Sequence, residues 1–213
     1  GSADENKKAM PQAYLIEQPA NSEVAAHFHD TNQFQVFVHG KGAFGKKPFD
    51  GVMVHYAKAH TTYGPISAGD DGAHYMTLRN NWDSGAKLMP ANRDKLRKIK
   101  PLHWAAEGVP VPDAAALKSV AVETADLIPL AEDGLGVRQF NIGPGHECAI
   151  TLETNGAGGY AYVVGGSVRY DGDEYETKSL IYRAHDDAPL AVKGGTEGAS
   201  VLLLQFPPEP DGE

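Results

Sequence analysis

The sequence has little cysteine, no clustered stripe of positive charge and no long apolar run. Its single cysteine, Cys148, excludes an internal disulfide and predicts a reducing, cytoplasmic setting. No apolar stretch approaches membrane-spanning length, so no membrane partner is expected. The 19 Lys and Arg residues are outnumbered by 28 Asp and Glu, and the one basic run, RDKLRKIK at 93–100, is short. Nucleic-acid binding is therefore not expected either.

What the sequence does contain is glycine and proline, 24 and 14 among 213 residues, which favours many short strands over long helices. Strand-like segments fill 11–79 and 119–208. The stretch 80–118 lacks strong alternation and is interpreted as a long connector, partly helical near PANRDKLRKI. Residues 1–10 are expected to be a disordered tag or tail, and 209–213 a second polar tail.

The two strand-rich segments resemble each other. FQVFVHGKGAFG followed by GVMVHY in the first has a counterpart in YAYVVGGSVRYDG followed by SLIYRA in the second. This weak repeat predicts a duplicated β-domain; chance likeness between β-segments is the alternative. The predicted fold class is all-β, with two antiparallel barrels or sandwiches joined by the connector.

The segment HFHDTNQFQVFVHG, residues 27–40, combines β-forming residues with an unusual number of polar ones. If it is one continuous strand, His27, His29, Gln33, Gln35 and Phe37 share one face, because side chains alternate along a strand. Bulky apolar residues take the other face. A strand with bulky groups on both faces and polar groups among them is expected to line a cavity, and two imidazoles on one face can share a metal ion.

These residues resemble the first motif of the cupin superfamily, G-x5-H-x-H-x3,4-E-x6-G. The spacing matches from His27 and His29 through Gln33 to Gly40, with two departures: Asn21 replaces the leading glycine, and Gln33 replaces glutamate. The resemblance covers most of 11–208. It is specific at this first motif and only suggestive elsewhere.

The second cupin motif, G-x5-P-x-G-x2-H-x3-N, matches less well, at His60 alone. His60 is preferred as the third histidine ligand, with His55 and His74 as competitors. His74 is disfavoured because the preceding SAGDDG is interpreted as a turn before the closing strand.

The resemblance implies two cupin-type jelly-roll β-barrels, a bicupin. In the N-terminal barrel it implies one divalent transition metal ion (iron, zinc, manganese, nickel or copper) held by His27, His29, Gln33 and His60. In the second half the equivalent positions fall near 152–154 and at Asp187, so the C-terminal barrel is implied to have lost its site.

The function this implies is that of a metal-dependent enzyme acting on a small chelating organic substrate, more often a dioxygenase than an isomerase or lyase. Tyr63 and Gln35 are the candidate catalytic residues that would orient that substrate. Two other functions stay open: a non-catalytic small-molecule-binding protein, and an assembly element, since cupins commonly form homodimers. In a fully structural alternative, the histidines fill a core and hydrogen-bond to one another.

Overall fold

The computed structural model describes residues 10–153 and 155–209. Most of the predicted polar ends, 1–9 and 210–213, and Thr154 of the segment 152–154 lie outside these residues. The chain divides into two compact units. The N-terminal unit comprises 1–109 with 209–213, and the C-terminal unit comprises 110–208. The boundary thus falls inside the stretch interpreted as a connector.

Within its described residues, the N-terminal unit consists of strands and one short 3-10 helix, Arg93–Lys95. Its strands in chain order are β1 Gln12–Gln18, β2 Glu23–Val24, β3 His27–Phe28, β4 Gln33–Phe44, β5 Lys47–Asp50, β6 Met53–Ala57, β7 Ile66–Arg79, β8 Lys87–Leu88 and β9 His103–Ala106. The order β1-β7-β4-β6-β9 forms an antiparallel sheet, with β2 on β7 and β5 on β4, while β3 pairs with β8.

The C-terminal unit holds one short α-helix, α1, Ala114–Leu117. Its strands are β10 Val122–Ile128, β11 Gly136–Ile142, β12 Glu147–Ile150, β13 Gly159–Tyr170, β14 Asp173–Glu176, β15 Leu180–Arg183 and β16 Leu190–Gln205. They form one antiparallel sheet in the order β10-β11-β16-β13-β14, with β12 on β16 and β15 on β13.

The two sheets repeat the same pairing pattern. In each, a long strand (β4 or β13) forms a hairpin with a short one (β5 or β14), pairs with the next (β6 or β15), and pairs with a long closing strand (β7 or β16). The all-β fold class with two β-domains is therefore confirmed, and the weak sequence repeat corresponds to a repeated topology.

Two local expectations differ from the structure. SAGDDG is not a turn but part of β7. Its first two residues, Ser67 and Ala68, pair with Ala43 and Gly42 of β4, and the next four lie at a register shift before the pairing resumes at Ala73. The stretch 80–118 contains β8 and β9, which exist because they pair with β3 and β6 and not through an alternating pattern of their own.

The chain returns to the N-terminal unit at Glu209, the first residue of the predicted tail. Its carboxylate accepts hydrogen bonds from the Thr31 hydroxyl at 2.5 Å, the Asn32 amide at 3.2 Å and the Asn81 side chain at 3.2 Å. This residue is therefore held in place. No helix in the described part of the chain is long and apolar enough to cross a membrane.

The interiors of the two units differ in chemistry. In the C-terminal unit the buried polar side chains of the described residues are uncharged, Gln139, Ser200 and Gln205, and they lie beside an apolar cluster that includes Val163 and Val201. The N-terminal unit instead buries histidine, glutamine, arginine and aspartate beside its apolar cluster. Buried polar groups need partners, so the N-terminal unit is where a functional site is expected.

Candidate functional site

A cavity of about 200 Å³ lies against the N-terminal sheet. Side chains of β1, β2, β3, β4 and β7 form most of its wall, and the loops between strands complete it. The lining residues are Tyr14, Ile16, Val24, His27, His29, Gln33, Gln35, Tyr63, Tyr75, Thr77, Arg79, Gly85 and Ala86. His27, His29, Gln33 and Gln35 line the cavity as expected, but from two strands, β3 and β4, and not from one continuous strand.

Strand alternation explains which side chains reach the cavity. On β7 every second residue, Tyr75, Thr77 and Arg79, faces it. The register between β4 and β7 places Gln33 opposite Arg79 and Gln35 opposite Thr77, so their side chains lie on the same face. A polar row on two adjacent central strands results.

His27 and His29 both have one ring nitrogen already engaged. Nδ1 of His27 donates to the Ala25 carbonyl at 2.7 Å, and Nδ1 of His29 lies 2.8 Å from a carboxylate oxygen of Asp83. The ring centroids are 5.2 Å apart and the planes nearly perpendicular, at 88°. Burial lowers the pKa of both imidazoles, against the raising effect of these hydrogen bonds. Both rings are therefore neutral at neutral pH, with the lone pair on Nε2.

Asp83 is the acidic group of the site. Besides His29, it accepts the backbone amides of Asp30 at 2.9 Å and Gly85 at 2.7 Å, and it lies 3.6 Å from the Arg79 guanidinium. Burial by itself raises the pKa of Asp83, but the His29 contact, the Arg79 charge and the Asp30 amide outweigh it and lower the pKa to about 2. Asp83 is ionised under all physiological conditions.

The lowered pKa of Asp83 predicts acid sensitivity of the N-terminal unit. A carboxyl whose pKa falls from 3.8 to about 2 on folding stabilises the fold above 3.8 and loses that contribution as the pH falls towards 2. The free energy of unfolding should drop by roughly 2 kcal/mol between pH 5 and pH 2. Urea titrations followed by tryptophan fluorescence measure it, because both tryptophans, Trp82 and Trp104, belong to this unit. An equally large drop in Asp83→Asn would show that other groups cause the loss.

Arg79 is a basic residue of the cavity wall, and its contacts include the side chains of Gln33, Gln12 and His29. Its Nε donates to Oε1 of Gln33 at 2.8 Å and its Nη1 to Oε1 of Gln12 at 3.2 Å. Its Nη2 lies 3.2 Å from Nδ1 and 3.3 Å from Nε2 of His29, so the guanidinium rests against that ring. Its Cζ also lies 5.4 Å from the centre of the Tyr14 ring, within cation–π range.

Gln33 connects Arg79 to Tyr63. Its Oε1 accepts from Arg79, and its Nε2 donates to the Tyr63 hydroxyl at 2.5 Å. Tyr63 forms a β-bridge with His27, which places its ring 4.6 Å from that imidazole. Burial raises the pKa of Tyr63 far above its usual value, so the phenol stays protonated. Tyr63 and Gln35, the candidate catalytic residues, both lie on the cavity wall, while their roles stay predictions.

His60 is not brought to the cavity. It adopts a positive φ of 58°, and its ring packs 5.6 Å from the Phe28 ring, which lies on the opposite face from His27 and His29. Its Nε2 lies 4.0 Å from a carboxylate oxygen of Asp30. The place across from His27 is occupied by Tyr63 instead.

The two competing histidines lie elsewhere too. His55 is buried behind Gln35, with Nδ1 3.3 Å from its Oε1, and burial together with nearby His103 lowers the pKa of His55 to about 3. His74 packs against His39, with ring centroids 4.7 Å apart. Neither is part of the cavity wall.

The residues present do not fit the predicted four-ligand metal site. In the described ranges no group of three or more His, Cys, Asp or Glu side chains is placed to hold an ion. The His60 backbone amide donates to the His29 carbonyl at 2.8 Å, but its ring packs against Phe28 and is not part of the cavity wall. The Gln33 side-chain oxygen accepts from the Arg79 guanidinium. His27 and His29 alone have the orientation of ligands, with Nδ1 engaged and the lone pair on Nε2.

Sequence reasoning missed Arg79 and Asp83. For Arg79 a signal existed: in HYMTLR the polar groups of Tyr75, Thr77 and Arg79 recur at every second position, as on a strand with one polar face. Asp83 carries no such signal. It follows β7 in an irregular segment and meets His29 from 54 residues away.

Comparisons with known proteins agree on the fold. No protein-family model matches the sequence, and no curated protein matches it. Solved structures do match. A candidate dioxygenase from Nostoc punctiforme PCC 73102 superposes with a TM-score of 0.65 at 12% identity, over 95% of this chain and 70% of that one. The nickel(II) complex of a bacterial pirin from Escherichia coli gives 0.58 at 14% identity, over 96% and 86%.

A third match is quercetin 2,3-dioxygenase from Acinetobacter baumannii, with a TM-score of 0.54 at 16% identity, over 91% of this chain and 66% of that one. These structures are cupin-fold proteins. The chain has the cupin fold. Its N-terminal cupin unit carries the polar cavity, whereas the C-terminal unit has an apolar core. At these identities the likeness establishes the fold alone.

Proposed function

We propose that the N-terminal cupin unit binds a small, neutral, single-ring organic molecule bearing oxygen or nitrogen groups. The observation that carries this proposal is a cavity lined by polar and apolar side chains, in which the charged lining residue Arg79 is paired with Asp83 at 3.6 Å. Size, charge and hydrogen-bonding capacity each narrow the class of ligand.

The size of the cavity suits one ring. A dry cavity of about 150 Å³ is enough to bind benzene, and this one measures about 200 Å³. Its wall combines apolar surface from Ile16 and Val24 with the rings of Tyr14 and Tyr75. Aromatic and aliphatic surface with a few polar groups is the usual composition of a small-molecule site.

The charge of the cavity favours a neutral ligand. Arg79 contributes one positive charge and Asp83 one negative charge, while His27 and His29 are neutral at neutral pH. A charged ligand would lose its hydration on entering the cavity, and both Arg79 and Asp83 already have a partner of opposite charge in each other. Binding a charged ligand is therefore unfavourable. A phenol, an enol or an amide avoids that penalty.

Hydrogen bonding would then orient the ligand. His27 donates through Nδ1 to Ala25, so its Nε2 is an acceptor suited to a phenolic or enolic O–H. The Gln35 amide and the Thr77 hydroxyl also lie on the wall and can donate to or accept from a ligand oxygen. The site is thus able to bind adjacent oxygen groups such as those of catechol.

The test is titration with catechol, phenol and benzamide as neutral probes, and with benzoate and benzylamine as charged ones. Single-site binding of a neutral probe, at least about tenfold tighter than benzoate, is expected by calorimetry. His27→Gln should weaken it roughly three- to tenfold, the effect of one hydrogen bond. The matched variant His39→Gln changes an exposed histidine of β4 and should leave the Kd unchanged. Tighter binding of benzoate, or no binding of any neutral probe, would contradict the proposal.

A dioxygenase-like enzyme is the second candidate. It is favoured by one observation: in both His27 and His29 the Nδ1 partner orients the ring as it does in metal-ligating histidines. Cupin-fold dioxygenases among the structural matches support it only by analogy. Catechol-dependent oxygen consumption by protein purified without a nickel column, matched by near-stoichiometric metal that is absent from His27→Ala/His29→Ala, would establish this candidate.

A further inference from the structure

The cavity of the N-terminal unit already contains a cation of its own, the guanidinium of Arg79. Around it lie an amide oxygen of Gln33, an amide oxygen of Gln12, a carboxylate oxygen of Asp83 and the His29 ring. Amide, carboxylate and imidazole are the groups with which proteins also surround divalent ions. We propose that Arg79 takes the place of a metal ion in this cupin unit and, as a positioning residue, keeps His27 and His29 free of metal.

The position of the guanidinium carries the first part of this inference. A metal ion bound to Nε2 of His29 would lie about 2.1 Å from that nitrogen. Arg79 Nη2 lies 3.2 Å from Nδ1 and 3.3 Å from Nε2 of the same imidazole, so the guanidinium lies against the face of that ring. An ion bound to Nε2 and the guanidinium would therefore be close neighbours, and both are positive.

The second argument for this inference is that the charge of Arg79 is permanent. An arginine side chain carries a permanent positive charge in proteins. Its planar fork is also fixed by Gln33 on one side and by Gln12 on the other, at 2.8 Å and 3.2 Å. Asp83, at 3.6 Å, balances its charge. The arrangement is complete without an added cation.

Arg79 also organises the cavity wall, as the metal would. By engaging Oε1 of Gln33 it fixes the amide so that Nε2 donates to the Tyr63 hydroxyl. The hydrogen bonds from Arg79 to Gln33 and from Gln33 to Tyr63 thereby set the orientation of the Tyr63 hydroxyl at the cavity wall. This inference rests on the proposed function in one respect only, that this cavity is the functional site.

Cobalt(II) is a suitable probe, because its visible absorption reports ligation and dialysis reports stoichiometry. Wild-type protein should bind no cobalt at His27 and His29. Arg79→Gln should bind one ion per chain, because even with water-like screening the repulsion between a monovalent and a divalent cation about 4 Å apart weakens binding about 30-fold. Adding His27→Ala or His29→Ala should abolish that gain.

A second variant serves as a control for a folding defect in Arg79→Gln. Arg79→Gln leaves the buried Asp83 charge without its counter-charge, so Arg79→Gln/Asp83→Asn removes both charges while keeping an acceptor for His29. Either folded variant that binds cobalt through His27 and His29 supports the proposal. A folded variant no better than wild type overturns it, as does wild-type protein that binds cobalt and loses it in His27→Ala/His29→Ala.

The proposed ligand class and the proposed role of Arg79 can be contradicted separately. Wild-type protein that excludes cobalt yet binds no neutral ring would contradict the proposed ligand class and leave the role of Arg79 standing. Protein that binds catechol only together with stoichiometric cobalt would overturn the role of Arg79 and favour the enzyme.

Discussion

Replacing Asp83 with alanine is expected to destabilise the N-terminal cupin unit by about 3–5 kcal/mol, the range for breaking a buried charge pair from one side. The side chain of Asp83 is fully buried, and that of Arg79 is only 4% exposed. Alanine would leave the guanidinium without its counter-charge and remove the acceptor of the His29 ring and of the Asp30 and Gly85 amides. Urea denaturation followed by the fluorescence of Trp82 and Trp104 reports this unit specifically.

The matched control is Asp83→Asn, which keeps one side-chain oxygen to accept from His29 but removes the charge. A loss about half as large is expected, since the hydrogen bonds survive in part while Arg79 still lacks its partner. If alanine and asparagine destabilise equally, the charge alone accounts for the role of Asp83. If Asp83→Ala lowers the free energy of unfolding by less than about 1 kcal/mol, the buried Asp83–Arg79 pair does not stabilise the site.

Gly40→Ala is the second substitution for which a large loss is expected, about 3 kcal/mol. Gly40 lies in β4 at a register shift against β7 and has a φ of +87°. A Cβ atom there would lie 2.0 Å from the Gly72 carbonyl oxygen on β7. Alanine must therefore adopt a left-handed backbone and also separate two paired strands that carry the cavity wall.

Gly51→Ala separates these two effects. Gly51 has a similar φ of +77°, but no atom lies within 4 Å of a Cβ built there. Its substitution should destabilise by only about 1–2 kcal/mol, the backbone contribution alone. If urea titrations show the same loss of unfolding free energy for both substitutions, the close approach of Gly72 to Gly40 does not contribute to the loss at Gly40.

The two cupin units illustrate how one topology supports different interiors. In the C-terminal unit Val163 faces Val201 across the central strand pair, in an apolar cluster that fills the core. In the N-terminal unit Gln35 faces Thr77 at a central strand pair with the same connectivity, beside a cavity. The fold therefore sets where a site can form, and the side chains on the cavity face decide whether it does.

The sequence predicted the polar face correctly because strand alternation is a local property. Gln33 and Gln35 lie on the cavity wall as the alternation along β4 requires, and His27 and His29 reach it from β3 and the residue that follows β3. The implied ligand His60 does not join them, because motif spacing does not specify the backbone of the loop after β6. A left-handed residue there turns the ring towards Phe28, and Tyr63, three residues later, faces His27.

The sequence by itself determined the all-β class, the repeated strand pattern and the alternation that directs glutamine and histidine into one interior. Those features depend on neighbours two residues apart along a strand. Only the tertiary structure decided which charges meet that polar face. Arg79 and Asp83 reach His29 across 50 and 54 residues, through the pairing of β4 with β7 and an irregular segment after β7. Contacts at that separation follow from strand register and loop conformation, which residue spacing does not specify.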